Sequence, residues 1–321
     1  MNSLLVFIIV LGWMSSPILA ASKFCTNKYC EYIPGDPETN LLITAPHGGS
    51  LKPRSIPDRV GGCRIKGKCV YSHNRCKRPD TKRCPVSNIP DMYTKDMATR
   101  LADEYYKLTK VRPHVVVNHL HRGKLDPNRP KPEATFYNKY AKKAFDEFFG
   151  FIRDAKKRIG LQGDGAGLIV DLHGQAHPEG WNEIGYLVIK ERLNGEKGKT
   201  VAKLRPLAKY SAIKSLAARV AKKKPSVSFE QLLRGSKSLG KYMNDQKRYY
   251  RVVPSPYIPK PGKGHYFKGG YITETCGSRY SGKIDALQIE THYNFRTPLT
   301  VRRAYVQDLA VALKNFMKHY D

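Results

Sequence analysis

The chain has 321 residues, enough for one large domain or two ordinary ones, and it is 40% hydrophobic and 10% aromatic, which excludes a wholly disordered polymer. Its 57 Lys and Arg against 27 Asp and Glu leave a net charge of +30. A surplus of that size draws polyanions to the surface through a salt-screened attraction and says nothing direct about fold.

Residues 1–20 read as a secretory signal. An uncharged apolar run from Leu4 to Met14 is followed by Ser15, Ser16 and Pro17, then by the small residues Ala20, Ala21 and Ser22, where cleavage is expected. The run is short for a bilayer span, and no later segment approaches one. The expectation is a secreted, extracellular protein with no transmembrane anchor, residues 21–321 forming a single domain. That address makes nucleic acid an unsuitable partner for the positive charge, and no nucleic-acid-binding motif is present. It favours a polyanionic glycan, an acidic matrix protein or a mineral face, unless the charge serves solubility alone.

Six of the seven cysteines lie between Cys25 and Cys84 (Cys25, Cys30, Cys63, Cys69, Cys76, Cys84), and the seventh is Cys276. No C-x-x-C pair occurs, so a zinc ribbon or redox motif is not supported. In an oxidising compartment they read as disulfides stapling a Pro-, Gly- and Lys/Arg-rich loop at residues 50–90. The spacing leaves connectivity open. The odd count leaves one thiol over, and Cys276 is expected to pair with an N-terminal cysteine.

Along the chain, Asn40 to Ala45 (NLLITA) reads as a buried strand and Tyr93 to Lys110 as a helix, with Met97, Leu101, Tyr105 and Leu108 at helical spacing. His114 to Leu120 reads as a strand, Glu133 to Ile159 as a helix, Leu168 to Leu172 and Ile184 to Ile189 as strands. Residues 190–268 carry 21 Lys or Arg against 4 acidic residues, a net of +17, and read as a basic insertion. Within it Pro206 to Lys223 has the pattern of a basic amphipathic helix, and Arg251 to Lys268 that of a Pro/Gly/Tyr loop. Ile284 to Thr291 is a strand, and the chain ends in a helix from about Pro298 to Lys318 with Thr297 as its cap. Apolar strands alternating with helices predict an α/β fold with a mainly parallel sheet covered on both faces.

Ligands of such sheets bind beyond the carboxyl ends of the strands. Three of these ends carry reactive side chains: His47 after NLLITA, Asp171 and His173 at the end of LIVDL, and Glu290 at the end of ALQIE, with His292 two residues on. Two histidines with nearby carboxylates suit a catalytic zinc, which takes three protein ligands and keeps one position open. No G-x-S-x-G elbow, P-loop or dinucleotide fingerprint offers a competing chemistry.

Four blocks in order, Pro46-His47-Gly48-Gly49, Asp91-Met92-Tyr93-Thr94, Ile169-Val170-Asp171-Leu172-His173-Gly174 and Gly269-Gly270-Tyr271 through Ala286-Leu287-Gln288-Ile289-Glu290, resemble the N-formylglutamate amidohydrolase family across about residues 40–296. The resemblance implies a zinc carboxypeptidase-like hydrolase with a mixed sheet between helices, to which the composition adds a Cys-rich N-terminal insertion. It implies one zinc ion on His47, His173 and a carboxylate, best matched by Asp91 and next by Asp58. Glu290 would be the general base, and Asp171 would orient a ligand. The substrate would be a small acidic N-acyl amino acid or peptide whose carboxylate meets a guanidinium. The family's Asp-Leu-Asn-Arg motif is placed at His119-Leu120-His121-Arg122, where Arg122 matches and the Asp and Asn are both His. Arg129 and Arg296 are further candidates for the substrate carboxylate, and His119 or His121 could instead take a place at the metal. The reading of a different class is a non-catalytic extracellular matrix or biomineral-associated protein that binds acidic partners through its basic face.

Overall fold

The computed structural model describes residues 21–195 and 205–320. The expected signal at 1–20 and residues 196–204 of the basic stretch lie outside the described residues. In chain order the elements are β1 (Lys23–Phe24), β2 (Cys30–Ile33), β3 (Leu41–Ala45), a small hairpin of β4 (Cys63–Ile65) and β5 (Lys68–Val70), α1 (Thr94–Thr109), β6 (His114–Asn118), α2 (Lys131–Thr135), α3 (Lys139–Gly160), β7 (Gly167–Gln175) and β8 (Asn182–Gly185). There follow α4 (Lys190–Asn194), α5 (Lys214–Lys223), α6 (Phe229–Leu233), α7 (Leu239–Asn244), β9 (Val252–Val253), α8 (Tyr271–Cys276), β10 (Ile284–His292), α9 (Tyr293–Arg296) and α10 (Leu299–Met317).

Eight strands form one mixed sheet in the order β1-β2-β6-β3-β7-β10-β8-β9. Its centre, β6-β3-β7-β10, is parallel, while β2 and β8 join it antiparallel from either side. The central strands are apolar on both faces because both are covered. Leu41, Ile43, Val115, Val117, Leu168, Val170, Leu287 and Ile289 pack with Met97 and Leu101 of α1 and Tyr305, Leu309 and Phe316 of α10. The alternate positions Leu42, Val116, Ile169 and Ala286 pack with Phe145, Phe148 and Ile152 of α3. The parallel centre covered on both faces is what the alternation of apolar strands and helices predicts, and the mixed sheet between helices is what the motif resemblance implies.

Several elements differ from the sequence expectation, each for a local reason. The long helix expected from Glu133 breaks at Phe136 and Tyr137, which are left-handed (φ 49° and 60°). The Asn138 side chain then caps α3 by accepting from the Tyr140 and Ala141 N–H groups. The strand expected to reach Ile189 stops at Gly185, because Leu187 is left-handed (φ 64°) and its N–H turns to the Lys268 carbonyl. The amphipathic helix expected from Pro206 is a 3₁₀ turn (Arg205–Tyr210) followed by α5. Between them the Ser211 hydroxyl and the Ala212 N–H both donate to the Tyr186 carbonyl, which spends the groups a continuous helix would need. The last helix is capped by Pro298, one residue after the expected Thr297.

The cysteines pair as Cys25–Cys30, Cys63–Cys76 and Cys69–Cys84. Cys276 is buried and unpaired on α8, which corrects the expectation that it joins an N-terminal cysteine: those six satisfy one another. Among the described residues no helix is long and apolar enough to cross a membrane.

Phe148 is fully buried at the α3–sheet contact. Phe148→Ala should cost about 3–5 kcal/mol of unfolding free energy, read as a lower urea midpoint at an unchanged m-value.

Candidate metal centre

The α3-facing side of the sheet changes character along its length. Ile169 and Ala286 lie under the helix, and two residues further on the same rows turn polar. One cross-strand row is Thr44, Asp171 and Gln288, and the next is His173, Glu290 and Glu183. Period-2 geometry therefore stacks the reactive groups at the carboxyl ends of β3, β7 and β10 and at the amino end of the antiparallel β8. His47 follows the end of β3. Asp91, just ahead of α1, is brought beside it by its own N–H, which donates to the His47 carbonyl at 3.1 Å.

His47 Nδ1 and His173 Nδ1 approach the same oxygen, Asp91 Oδ2, at 3.1 and 3.0 Å. The Gly174 N–H also donates to that oxygen, at 3.2 Å. All three side chains are buried, and their ligand atoms lie within 4.8 Å of one another. Each outer ring nitrogen has a carboxylate of its own: His47 Nε2 lies 2.6 Å from Asp126 Oδ1, and His173 Nε2 lies 2.8 Å from Asp171 Oδ2. Asp126 also accepts from Arg122 Nε (3.0 Å) and the Asn128 N–H (3.0 Å), and Asp171 accepts from the Thr44 hydroxyl (2.6 Å). Burial alone would raise the Asp126 carboxyl, but His47 and Arg122 outweigh it and hold it well below the usual carboxylate range. An ionised Asp126 can only accept, so His47 Nε2 is the donor, and Nδ1 is the nitrogen whose lone pair the neutral ring would offer a cation.

This donor set fits a divalent cation. Two imidazole lone pairs and a carboxylate converge, and the separations near 3 Å approach the edge of about 3.4 Å expected for a tetrahedron with ligands about 2.1 Å from its centre. The surrounding carboxylates also set the proton affinity of His173. Burial pulls His173 down, yet Asp171 and Asp91 outweigh it and keep the imidazole well above its ordinary value. Asp91 is likewise raised by burial but drawn lower by His47 and His173.

Glu290 stands beside His173 across the β7–β10 pair. It is 5% exposed and accepts from Gln288 Nε2 at 2.8 Å. Burial pushes its carboxyl up to about 8; His173 opposes that rise, and Asp91 and Glu183 add to it. Glu183, its neighbour across β8, is pushed up to about 7 by burial and meets His177 Nδ1 at 2.7 Å.

Of the three arginines singled out in the sequence, Arg122 enters the network. It bonds Asp126 and lies 3.4 Å from Asp91 Oδ1 through Nη1. Arg296 is buried in the wall, donating to the Met92 (2.9 Å) and Thr291 (3.3 Å) carbonyls. Its guanidinium lies against Gly174, where a Cβ would come within 2.3 Å of it. Arg129 pairs with Glu133 at 3.3 Å. Asp58 is exposed and paired with Lys124 at 3.1 Å, and it is not part of the His47–Asp91–His173 cluster. His119 pairs with Glu31 (3.2 Å), and His121 accepts from the Gly123 N–H. Neither His119 nor His121 joins the cluster.

Asp126 and Asn128 were not singled out in the sequence, although the signal was present: Asp126-Pro127-Asn128-Arg129 retains the Asp, Asn and Arg of the motif that was placed at His119–Arg122. In the structure it is this stretch that stands at the histidines. Asn128 donates to Gln288 Oε1 (3.3 Å) and accepts from the Ile272 N–H (2.9 Å). Gly270 is glycine because a Cβ there would fall 2.2–2.6 Å from the Asn128 amide. The Gly-Gly-Tyr block and the Asp-Pro-Asn-Arg block thus form a single contact.

No protein-family profile and no curated protein sequence matches the chain. Solved structures similar to it include an N-formylglutamate amidohydrolase from Ralstonia eutropha (12% identity, 88% of this chain and 93% of that one, TM-score 0.42). Others are a gene product of Agrobacterium tumefaciens (10%, 90% and 96%, TM-score 0.45) and an N-acetylmuramyl-L-alanine amidase from Mycobacterium abscessus (11%, 87% and 98%, TM-score 0.32).

Asp126→Asn and Asp171→Asn should each weaken metal binding by about 10–100-fold, measured by competition with a chromogenic chelator on protein whose circular dichroism is unchanged. A raised imidazole pKa means that a proton must leave before the ring nitrogen can take a cation. Metal affinity should therefore rise with pH, and weakly buffered titrations near neutrality should show protons released on metal addition.

Proposed function

We propose that residues 21–321 act as one secreted, zinc-dependent amidohydrolase domain. Its single ion would be held by His47, Asp91 and His173, with Glu290 as the acid–base group and a small acidic N-acyl amino acid or peptide as substrate. One observation carries this reading: two histidines, each fixed at its outer nitrogen by a buried carboxylate, turn their inner nitrogens toward a third carboxylate. When bound there, the cation would polarise a carbonyl oxygen and acidify water. The motif resemblance supplies the reaction class, cleavage of a C–N amide bond.

The chain's own residues would do the rest. Glu290 Oε1 is fixed by Gln288, so the carboxyl is held in one orientation. Its proton affinity near neutrality suits a group that takes a proton from the attacking water and passes it to the leaving nitrogen. Arg122 is matched by Asp126 and Asp91, whereas Arg296, bonded to backbone carbonyls, would leave the buried wall a positive charge that favours an anionic substrate. Arg129, with its side chain 35% exposed, retains the most freedom to meet a substrate carboxylate. The three disulfides agree with export to an oxidising compartment.

Elemental analysis of zinc-loaded protein should give one ion per chain, and His47→Ala should abolish it. Glu290→Gln should keep the metal and the fold and lose about 10²–10⁴-fold in kcat/KM on a panel of N-acyl amino acids. A folded wild-type chain that takes up no metal at neutral pH would refute the assignment, as would a Glu290→Gln protein at full rate.

A further inference from the structure

The sequence directs attention to residues 190–268 as the basic face. The structure points elsewhere. Between Cys63 and Cys84 lie eight Lys or Arg and one acidic residue, a net of +7 in 22 residues, denser than the +17 carried by the 79 residues of 190–268. All eight are exposed, among them Arg64, Lys66 and Lys68 on the β4–β5 hairpin and Arg75, Lys77 and Arg78 after it. Among the described residues, the sole ion pair any of the eight makes is Arg83 with Asp80, at 3.9 Å.

Like charges at this density repel, and the segment has almost no apolar core to oppose them. Cys63–Cys76 and Cys69–Cys84 supply the missing constraint. Two crosslinks thus hold a dense set of cations in place, an arrangement that solubility alone does not require. We propose that this disulfide-tied segment is a docking surface for a linear sulfated polysaccharide.

The choice of partner follows from what the segment offers. Tyr71 and His73 are turned onto Phe136 (ring centroids 5.8 and 5.0 Å), so no aromatic platform is presented to nucleic-acid bases. No helix is present to enter a duplex groove. None of its residues is an exposed large apolar side chain, so it has neither an anchor for a membrane nor the buried hot spot of a protein partner. What remains is fixed, exposed charge of both Arg and Lys type, suited to a flexible polymer that presents charge alone. The disulfides agree with the proposed export to an oxidising compartment, where sulfated polysaccharides occur. This surface is independent of catalysis, and its test does not need activity.

The test measures binding of the full chain to heparin across a salt series, beside desulfated heparin, polyglutamate and duplex DNA. A variant with Arg64, Lys66, Lys68, Arg75, Lys77 and Arg78 all changed to Ser is compared with a control in which Lys214, Lys222, Lys224, Lys237, Lys260 and Lys263 are changed to Ser. The first should lose about tenfold or more in affinity at physiological salt with a shallower salt slope, and the control about threefold or less. Equal losses in the two would overturn the proposal, because net charge would then be the whole effect. So would desulfated heparin, polyglutamate or DNA binding as tightly as heparin. If the sixfold variant fails to fold, acetylation of the wild-type protein decides. Heparin should shield Lys66, Lys68 and Lys77 but not Lys222 or Lys260, and the reverse pattern refutes the assignment.

Discussion

A neutral imidazole has two unlike nitrogens, and fixing one as the donor leaves the other as the acceptor that a cation can take. The candidate centre depends on that constraint applied twice. Asp126 holds His47 and Asp171 holds His173, each at Nε2, and both rings therefore present Nδ1 to Asp91. Burying two carboxylates for this purpose costs free energy unless each is satisfied. Asp171 is satisfied within the sheet, by Thr44 in the neighbouring strand. Asp126 is satisfied by the chain around it, through Arg122, the Asn128 N–H and, at 3.7 Å, Arg59. The loop from Arg122 to Arg129 is consequently ordered around a charge as well as by Leu125, which is buried in the α3-side core.

The sheet explains why these groups meet at all. On the α3-facing side of β7 and β10 the sequence runs Ile169, Asp171, His173 and Ala286, Gln288, Glu290. The apolar positions lie beneath the helix and the polar ones lie beyond its cover. A one-residue slip in either strand would send the reactive row to the opposite face, against α1 and α10. The nine-residue register shared by β7 and β10 therefore determines the site as much as the identity of its residues.

His47, His173 and Glu290 were legible because each ends a strongly apolar strand, and strand ends are where such sheets bind ligands. Asp91 was reached through the motif resemblance alone. Asp126 and Asn128 were missed because no periodic element carries them: they lie in an irregular loop whose position is fixed only by tertiary hydrogen bonds. The same cause accounts for the missed edges of the sheet. β1, β2 and β9 have two to four residues each, too few to display a period. The broken helices trace to left-handed Phe136 and Tyr137 and to the bonds between Ser211, Ala212 and Tyr186, none of which composition predicts.

The charge distribution and the site meet at one side chain. The segment Cys63–Cys84 leaves and rejoins the fold at a narrow neck, where the Gly62 N–H donates to the Cys84 carbonyl (2.9 Å) and the Asn88 amide donates to the Arg59 carbonyl. Arg59 itself is fully buried. It donates to the Arg122 carbonyl at 2.8 Å and lies beside Asp126, the residue that holds His47. Burial draws this guanidinium down while Asp126 and Glu133 hold it up, so its charge is matched locally and does not add to the exposed basic surface. The cations of the hairpin and the carboxylates of the metal centre are thus kept electrostatically apart but share a mechanical root. A surplus of positive charge can surround a cation-binding site only on that condition: the interior must set arginines of its own against its Asp and Glu, and here Arg59, Arg122 and Arg296 are those arginines.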